Sequence, residues 1–431
     1  MGGQGGPLDH SAVLRELWPA LSTEDRRALR VCCMAIRDAV EAQTACVEGQ
    51  AESTEALSSD ACARLEGVIT LTLRSMACLR RMLLVHEHHG AVFPRLQSLR
   101  LHWWGAAAVE GPADYEAITS SSPWLTHLSL EIPASATALP QEMAGLLSAS
   151  SKLEDLDIRA SGTRPRVSDL AFLRAMVKIQ RLNLVTGDNG TGVSDLSPLG
   201  ALVSIQSLSL DSFYNVSDLA PLTALTNILT LDLSGSSLTD MAPLAAMLRL
   251  LSLDISYCEA SDLAPLGFLV NLQTLKTNCM EVSDLSFIET LVNLQRLDIN
   301  ENDNLPDLAP FRALVNLRSL DMSDCYRVPD LAPLAAMVNL QNLNLSWYTS
   351  VSNLASLATM VNLQRLDMYN CTKVSDLAPP EAMVSLQSLN LGACKSVSDL
   401  APLAAMVSLQ ASTCETVAQC LIWRPLQPWW A

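Results

Sequence analysis

The side chains able to do chemistry in this chain are few. The six histidines all precede residue 128, and their one cluster is His86-Glu87-His88-His89. A helical metal site needs two histidines four residues apart on one face, so this run reads as a solvated loop. The twelve cysteines include no Cys-x-x-Cys pair, the spacing that a structural zinc site uses. Neither a Gly-x-Ser-x-Gly elbow nor a phosphate-cradling glycine loop occurs. No catalytic constellation results, so the chain reads as non-enzymatic, with no metal or cofactor expected. What remains is negative charge. The formal net charge is −17, and a surface of that sign repels nucleic acid and anionic membrane while favouring a basic protein partner.

The acids are spaced, not scattered. Asp169, Asp195, Asp218, Asp240, Asp262, Asp284, Asp307, Asp330, Asp376 and Asp399 recur at steps of 22 or 23 residues after a first step of 26, with Asn353 filling the single gap. Around them one motif is rewritten, as in Ser261-Asp262-Leu263-Ala264-Pro265-Leu266, then Leu269-Val270-Asn271-Leu272, then Leu275. A period in this range with a Leu-x-x-Leu-x-Leu frame is the signature of a leucine-rich repeat solenoid. Leu317, Leu320 and Met322 fit a short strand buried on one side. Leu263, Leu266 and Leu269, spaced by three, fit a 3₁₀ turn better than a long helix. The aspartate can cap that turn, and proline in its first positions costs little. The expected fold is an α/β solenoid: a leucine-rich repeat horseshoe with a concave parallel sheet, short 3₁₀ or helical turns on the convex side and a helical N-terminal cap. No copy can bury its leucines alone, so neighbours must stack.

A second column of polar residues falls between the buried positions of the strands and is expected to point from the concave face. It reads Asp157, Asn183, Ser209, Asp232, Asp254, Lys276, Asp298, Asp321, Asn344, Asp367 and Asn390. Like charges about 4.8 Å apart repel by roughly 1 kcal/mol even in water. Lys276, Asn344 and the arginines two residues before the column, Arg181, Arg296 and Arg365, are expected to offset part of this. The column is either a solvated repeat face or a docking face for a basic partner. Trp347 and Tyr369, late in adjacent strands, are the expected interface anchors, with Tyr257 and Tyr326 similarly placed. Tyr348 stands at the position that Cys258, Cys325, Cys371, Cys394 and Asn302 occupy in other copies, so it and those thiols read as structural, the thiols bonding the backbone weakly.

The remaining boundaries follow from composition. Residues 1–10 are a flexible glycine-rich start, 11–46 a helical segment, 47–60 a linker, 61–166 irregular repeats, 167–410 regular repeats, and 411–431 a tail or improvised cap that holds three tryptophans without repeat logic. The start carries no basic-then-apolar run and no stretch reaches 18 apolar residues, so neither a secretory signal nor a membrane span is expected. The expected setting is the cytoplasm, where cysteines stay reduced, with the ciliary axoneme as the alternative.

Two resemblances carry these readings further. The run from Leu21 through Asp25, Leu29, Val31, Cys32 and Ile36 to Val40 resembles the second half of an F-box, the helical module that docks on an adaptor of a cullin ubiquitin ligase. Ile36 replaces a usual tryptophan and Cys33 a usual arginine, and a simple solenoid cap accounts for the same helix. The motif Ser-Asp-Leu-Ala-Pro-Leu followed by Val-Asn-Leu-Gln resembles the 22-residue class of bacterial internalins, of a phosphatase regulatory subunit and of an axonemal dynein light chain. Copies such as Asn370-Cys371-Thr372-Lys373-Val374-Ser375-Asp376 resemble the Cys-bearing arrays of protist leucine-rich repeat proteins, some named adenylate cyclase regulators. The resemblance implies a protein-interaction scaffold, possessing the role of ligase substrate receptor if the F-box reading holds, and otherwise a regulatory or axonemal repeat protein.

Overall fold

In each regular copy the leucines build the backbone bonds as well as the core. Leu266 donates its N–H to the Leu263 carbonyl at 3.0 Å, Leu269 to Leu266 at 2.9 Å and Leu272 to Leu269 at 2.9 Å. The spacing of three is therefore the i to i+3 bond of a 3₁₀ segment, here Ala264–Phe268, as expected from the sequence. All four leucines are buried. Equivalent segments include Ala220–Ala224, Ala242–Ala246, Ala309–Ala313 and Ala332–Ala336, each with proline in its first two positions.

The computed structural model describes residues 46–49, 70–73, 97–102, 124–132, 152–160, 170–185 and 192–413, the last span without 280, 281, 303, 304, 306, 327, 329, 379–382, 400, 402, 404, 405, 407 and 410. The expected helical segment with Leu21, Asp25, Leu29, Val31, Cys32 and Ile36, the histidine cluster and the tail beyond Thr413 lie outside these residues. Two units make up the chain, Met1–Ser207 and Leu208–Ala431. In the first unit the strands β1 (Cys46–Gly49), β2 (Thr70–Leu73), β3 (Ser98–His102), β4 (His127–Ile132), β5 (Asp155–Ala160) and β6 (Arg181–Val185) pair parallel in chain order. The strand β7 (Ser207–Ser209) falls at the unit boundary. In the second unit the order continues through β8 (Thr230–Asp232), β9 (Ser252–Asp254), β10 (Thr274–Lys276), β11 (Arg296–Asp298), β12 (Ser319–Asp321), β13 (Asn342–Asn344), β14 (Arg365–Asp367), β15 (Ser388–Asn390) and β16 (Ala411–Thr413).

Register in the second unit keeps leucine on leucine: Leu231, Leu253, Leu275, Leu297, Leu320, Leu343, Leu366 and Leu389 are successive partners. A slip of one residue would turn every one of them to solvent, so burial locks the register. Two boundaries differ from expectation. Cys46–Gly49 straddles the start of the expected linker yet forms a strand on Thr70–Leu73, and Ala411–Thr413 pairs with Ser388–Asn390 although the leucines have stopped. Parallel pairing is a backbone contact, and a strand can be templated by its neighbour without the repeat's side chains.

The loop aspartates cap the 3₁₀ segments one residue earlier than an ordinary N-cap. Asp262 Oδ1 accepts the Ala264 N–H at 2.9 Å, Asp218 that of Ala220 at 2.8 Å, and Asn353 that of Ala355 at 2.9 Å, while the N-cap residue itself is a leucine or methionine with no side-chain bond. An uncharged amide thus does the same work. Asp262→Ala should lower the urea midpoint by the equivalent of about 1 kcal/mol, and Asp262→Asn should leave it nearly unchanged. Equal losses in both variants would show that charge, not the bond, holds this turn.

Candidate functional site

Seven strands of the second unit exit into a turn that their own polar residue closes. Asp254 Oδ1 accepts the Ser256 N–H at 3.0 Å, Asp321 that of Ser323 at 3.0 Å, Asn344 that of Ser346 at 3.0 Å, Asp367 that of Tyr369 at 2.9 Å and Asn390 that of Gly392 at 3.0 Å. Asp232 and Asp298 bond Ser234 and Asn300 in the same way. The next residue along is left-handed in each case: Gly235, Tyr257, Glu301, Asp324, Trp347, Asn370 and Ala393, with φ from +57° to +67°. Its N–H donates to the following copy, as from Trp347 to the Tyr369 carbonyl at 2.7 Å. The aspartates and asparagines of the column in this unit are thus half-buried, with one oxygen of each committed to backbone, while Lys276 is exposed.

The second oxygens separate the members. Lys276 Nζ lies 3.0 Å from Asp254 Oδ2, and this bond, with the charge of Asp254, raises the ammonium's pKa. Asn344 Nδ2 donates to Asp321 Oδ2 at 2.9 Å, Asn390 Nδ2 to Asp367 Oδ2 at 3.1 Å, and Ser209 Oγ to Asp232 Oδ2 at 3.1 Å. Asp298 Oδ2 has no hydrogen-bond partner among the described residues. Burial, and then the neighbouring Asp321 charge, push the Asp298 carboxyl above its ordinary range. The arginines do less than expected. In the first unit Arg181 pairs with Asp155 at 2.9 Å, and in the second Arg365 donates to Asn342 at 3.1 Å, so neither reaches the column. Asp157 is instead held by Arg159 at 3.0 Å and Asn183 at 2.9 Å.

Trp347 and Tyr369 come together at the strand exits, with ring centroids 5.7 Å apart and a 59° tilt. Tyr369 lies across Gly392, where a Cβ would stand 2.8 Å from its ring, so glycine there gives the ring its bed. Trp347 is 44% exposed in a backbone conformation that costs a bulky residue free energy. Tyr257 is exposed and separate, and the Tyr326 hydroxyl donates to Asp324 at 2.7 Å. Tyr348 is fully buried with its hydroxyl unpartnered among the described residues.

The thiols are structural, as expected, and one more belongs with them. Sγ of Cys258, Cys325, Cys371 and Cys394 donates to the backbone carbonyl of an earlier copy at 2.9–3.5 Å, and Cys279 does the same to Ile255 at 3.3 Å. Cys279 escapes sequence reasoning because the turn after Lys276 is one residue shorter. Asn302 bonds Thr277 and Ile299 from the same position. Burial, then the neighbouring thiol, pushes Cys258 and Cys371 up to about 12.

Two further features went unread. Leu248, Val270, Val292, Val315, Val338, Val361 and Val384 are exposed one after another, beside a shallow groove lined by Asn293, Gln295, Asn316, Arg318, Asn339, Gln341 and Asn362. The signal was the valine of the recurring Val-Asn-Leu at 270, 292, 315, 338 and 361, outside the alternation that buries the strands.

Among solved structures, an internalin from Listeria monocytogenes is similar at a TM-score of 0.54 and 23% identity, covering 70% of this chain and 88% of that one. A leucine-rich repeat protein from Leptospira interrogans is similar at a TM-score of 0.59 and 18% identity, covering 83% and 92%. The fold is the leucine-rich repeat solenoid. No family model and no curated protein matches the chain, so the likeness rests on architecture alone.

A thiol whose pKa is raised on folding stabilises the native state below the unfolded pKa, near 9.0, and that contribution is lost as pH climbs towards about 12. Iodoacetamide at pH 8 should therefore leave Cys258 and Cys371 unlabelled in the native chain and label both in urea, read by peptide mass mapping. Native labelling at either position would contradict the buried, protonated thiols.

Proposed function

We propose that the chain is a non-enzymatic protein-interaction scaffold whose second unit receives a basic segment of a partner on its sheet face, at Asp298 and Asp321, with Trp347 and Tyr369 as aromatic anchors about 10 Å further along the strand order. The observation that carries this is Asp298. Every other acid of the column in this unit has its second oxygen answered within the fold, whereas that of Asp298 has no hydrogen-bond partner among the described residues and lies between the charge of Lys276 on one side and the like charge of Asp321 on the other. Asn344 and Asn390 show that an amide closes the same turn without that cost. An arginine or lysine from a partner would supply the missing donor and relieve the repulsion, and an exposed tryptophan nearby is a favoured interface anchor. The leucine-rich repeat neighbours support a binding scaffold at the level of fold. A ligase role through Leu21, Asp25, Leu29, Val31, Cys32 and Ile36 is carried by the sequence resemblance alone, and the cytoplasmic setting by the sequence expectation alone.

The test separates stability from binding. A raised native carboxyl pKa costs stability as pH rises from the ordinary value near 3.8 through the folded one. Asp298→Asn should thus be more stable than the wild type at pH 7, read as a higher urea midpoint, and the gain should fade towards pH 4. The same variant should weaken binding of a tetra-arginine peptide, measured by calorimetry at physiological salt, at least threefold, and Trp347→Ala should do likewise. A variant that is more stable and binds equally well would sink the reading.

A further inference from the structure

The sheet face of the first unit is charged on a different plan from that of the second. Leu128, Leu156 and Leu182 are buried, so the residues that alternate with them share the opposite face. Register sets these in rows across β3 to β6: Ser98, His127, Asp155 and Arg181, then Arg100, Ser129, Asp157 and Asn183, then Glu131 and Arg159. The acids lie low and are held within the fold. Both oxygens of Asp157 accept from Arg159 Nε at 3.0 Å, with Ser129 and Asn183 adding further bonds, and Asp155 accepts from Arg181 Nε at 2.9 Å. The guanidiniums stand higher. Side-chain exposure is 62% at Arg159 over 20% at Asp157, and 56% at Arg181 over 28% at Asp155. Because Nε makes the bond in each pair, terminal nitrogens are left over. Those of Arg159, and the whole head of the exposed Arg100, bond no described residue. An approaching segment therefore meets donors before it meets carboxylates.

The balance of this face turns on His127. A guanidinium has donors only, and Arg181 Nη2 lies 3.3 Å from His127 Nε2. That ring nitrogen is thus the acceptor. The ring proton sits on Nδ1 and is donated to Thr126 Oγ1 at 2.7 Å, and the Thr126 hydroxyl donates in turn to the Gln97 carbonyl at 3.3 Å. The chain of bonds runs one way and holds the imidazole neutral. Arg100, Arg159 and Arg181 then cancel Glu131, Asp155 and Asp157. A proton on Nε2 tips the sum to positive. It also ends the bond from Arg181, since two donors cannot share it, and leaves Asp155 Oδ2, 4.0 Å away, as the partner of the ring. The terminal nitrogens of Arg181 are then free to fork onto a carboxylate. Histidine is the side chain that changes charge between pH 5 and 8.

We infer that this face of the first unit docks a glutamate- or aspartate-rich segment of a protein partner, and that protonation of His127 strengthens the docking by adding a charge and releasing Arg181. The net charge of −17 repels a long polyanion such as nucleic acid, whereas a short acidic segment answers to the local field within a Debye length. The face shares no residue with the site at Asp298 and Trp347, so it stands or falls independently of the basic partner proposed there.

The experiment is titration calorimetry of the whole chain with a hexaglutamate peptide at about pH 6 and about pH 8 and constant ionic strength, since glutamate carboxyls, which titrate at about 4.3, are ionised at both. Binding should be at least threefold tighter at the lower pH, with proton uptake read from the dependence of the heat on the buffer. His127→Gln should bind at both pH values as the wild type does at the higher one. Arg181→Gln should bind at least threefold more weakly than the wild type at both. No binding by the wild type, equal affinity at the two pH values, a pH dependence that survives His127→Gln, or an Arg181→Gln variant that binds like the wild type overturns the site. An oligothymidylate of equal charge that binds more tightly than the peptide overturns the choice of partner. The tautomer is read on its own by NMR, with the ring nitrogens of histidine labelled. At about pH 8 the signal that vanishes in His127→Gln should carry its proton on Nδ1, and a proton on Nε2 instead would overturn the gate.

Discussion

One interaction recurs at both bends of nearly every copy in the second unit: a side-chain oxygen accepts the backbone N–H two residues ahead. At the loop it opens the 3₁₀ segment, as Asp262 does for Ala264, and at the strand exit it starts the turn that ends in a left-handed residue, as Asp254 does for Ser256. Short Asx-type bonds of this kind compete with regular secondary structure and so define where it stops. The two acid columns that dominate the chain's charge are therefore first of all two columns of turns. Electronegativity of the surface is largely a by-product of closing bends with aspartate when asparagine serves as well.

That duality explains which parts of the molecule could be read in advance. The 3₁₀ segments were legible because buried leucines and i to i+3 bonds share one spacing, and the register was legible because leucine columns tolerate no slip. The strand-exit turn was not. Nothing in a single Asp-x-Ser triplet says that its carboxylate bends back to the backbone, so the column looked freer than it is. Lys276 was read as offsetting charge and does so, yet it also cannot close the turn. The copy it belongs to has no left-handed residue among those described, and its ladder thiol, Cys279, arrives one residue early.

The candidate site was legible in part for the same reason. Trp347 and Tyr369 were expected to be neighbours because they sit at nearly equivalent places in adjacent copies, and the ring contact follows from that. What singles out Asp298 is different in kind. It depends on where each second oxygen goes, and that is decided by whether the next copy supplies an amide, an ammonium or another carboxylate. Such a property belongs to pairs of copies, and pattern within one copy does not reveal it. The valine row was hidden by the opposite effect: it was so regular that it passed for consensus.

Inter-copy pinning also bears on how such a chain changes over generations. Most copies of the second unit receive a bond from the one after, through the asparagine before the strand, and give one to it, through the left-handed turn. A gain or loss of one whole copy leaves both bonds with equivalent partners. Copies of 22 and 23 residues differ in two places, between the ladder residue and the next loop aspartate and, in the copy of Lys276, in the turn before the ladder residue. The array is thus editable in whole words and, at those two points, by a single letter; the neighbours of an altered copy bear the consequences first.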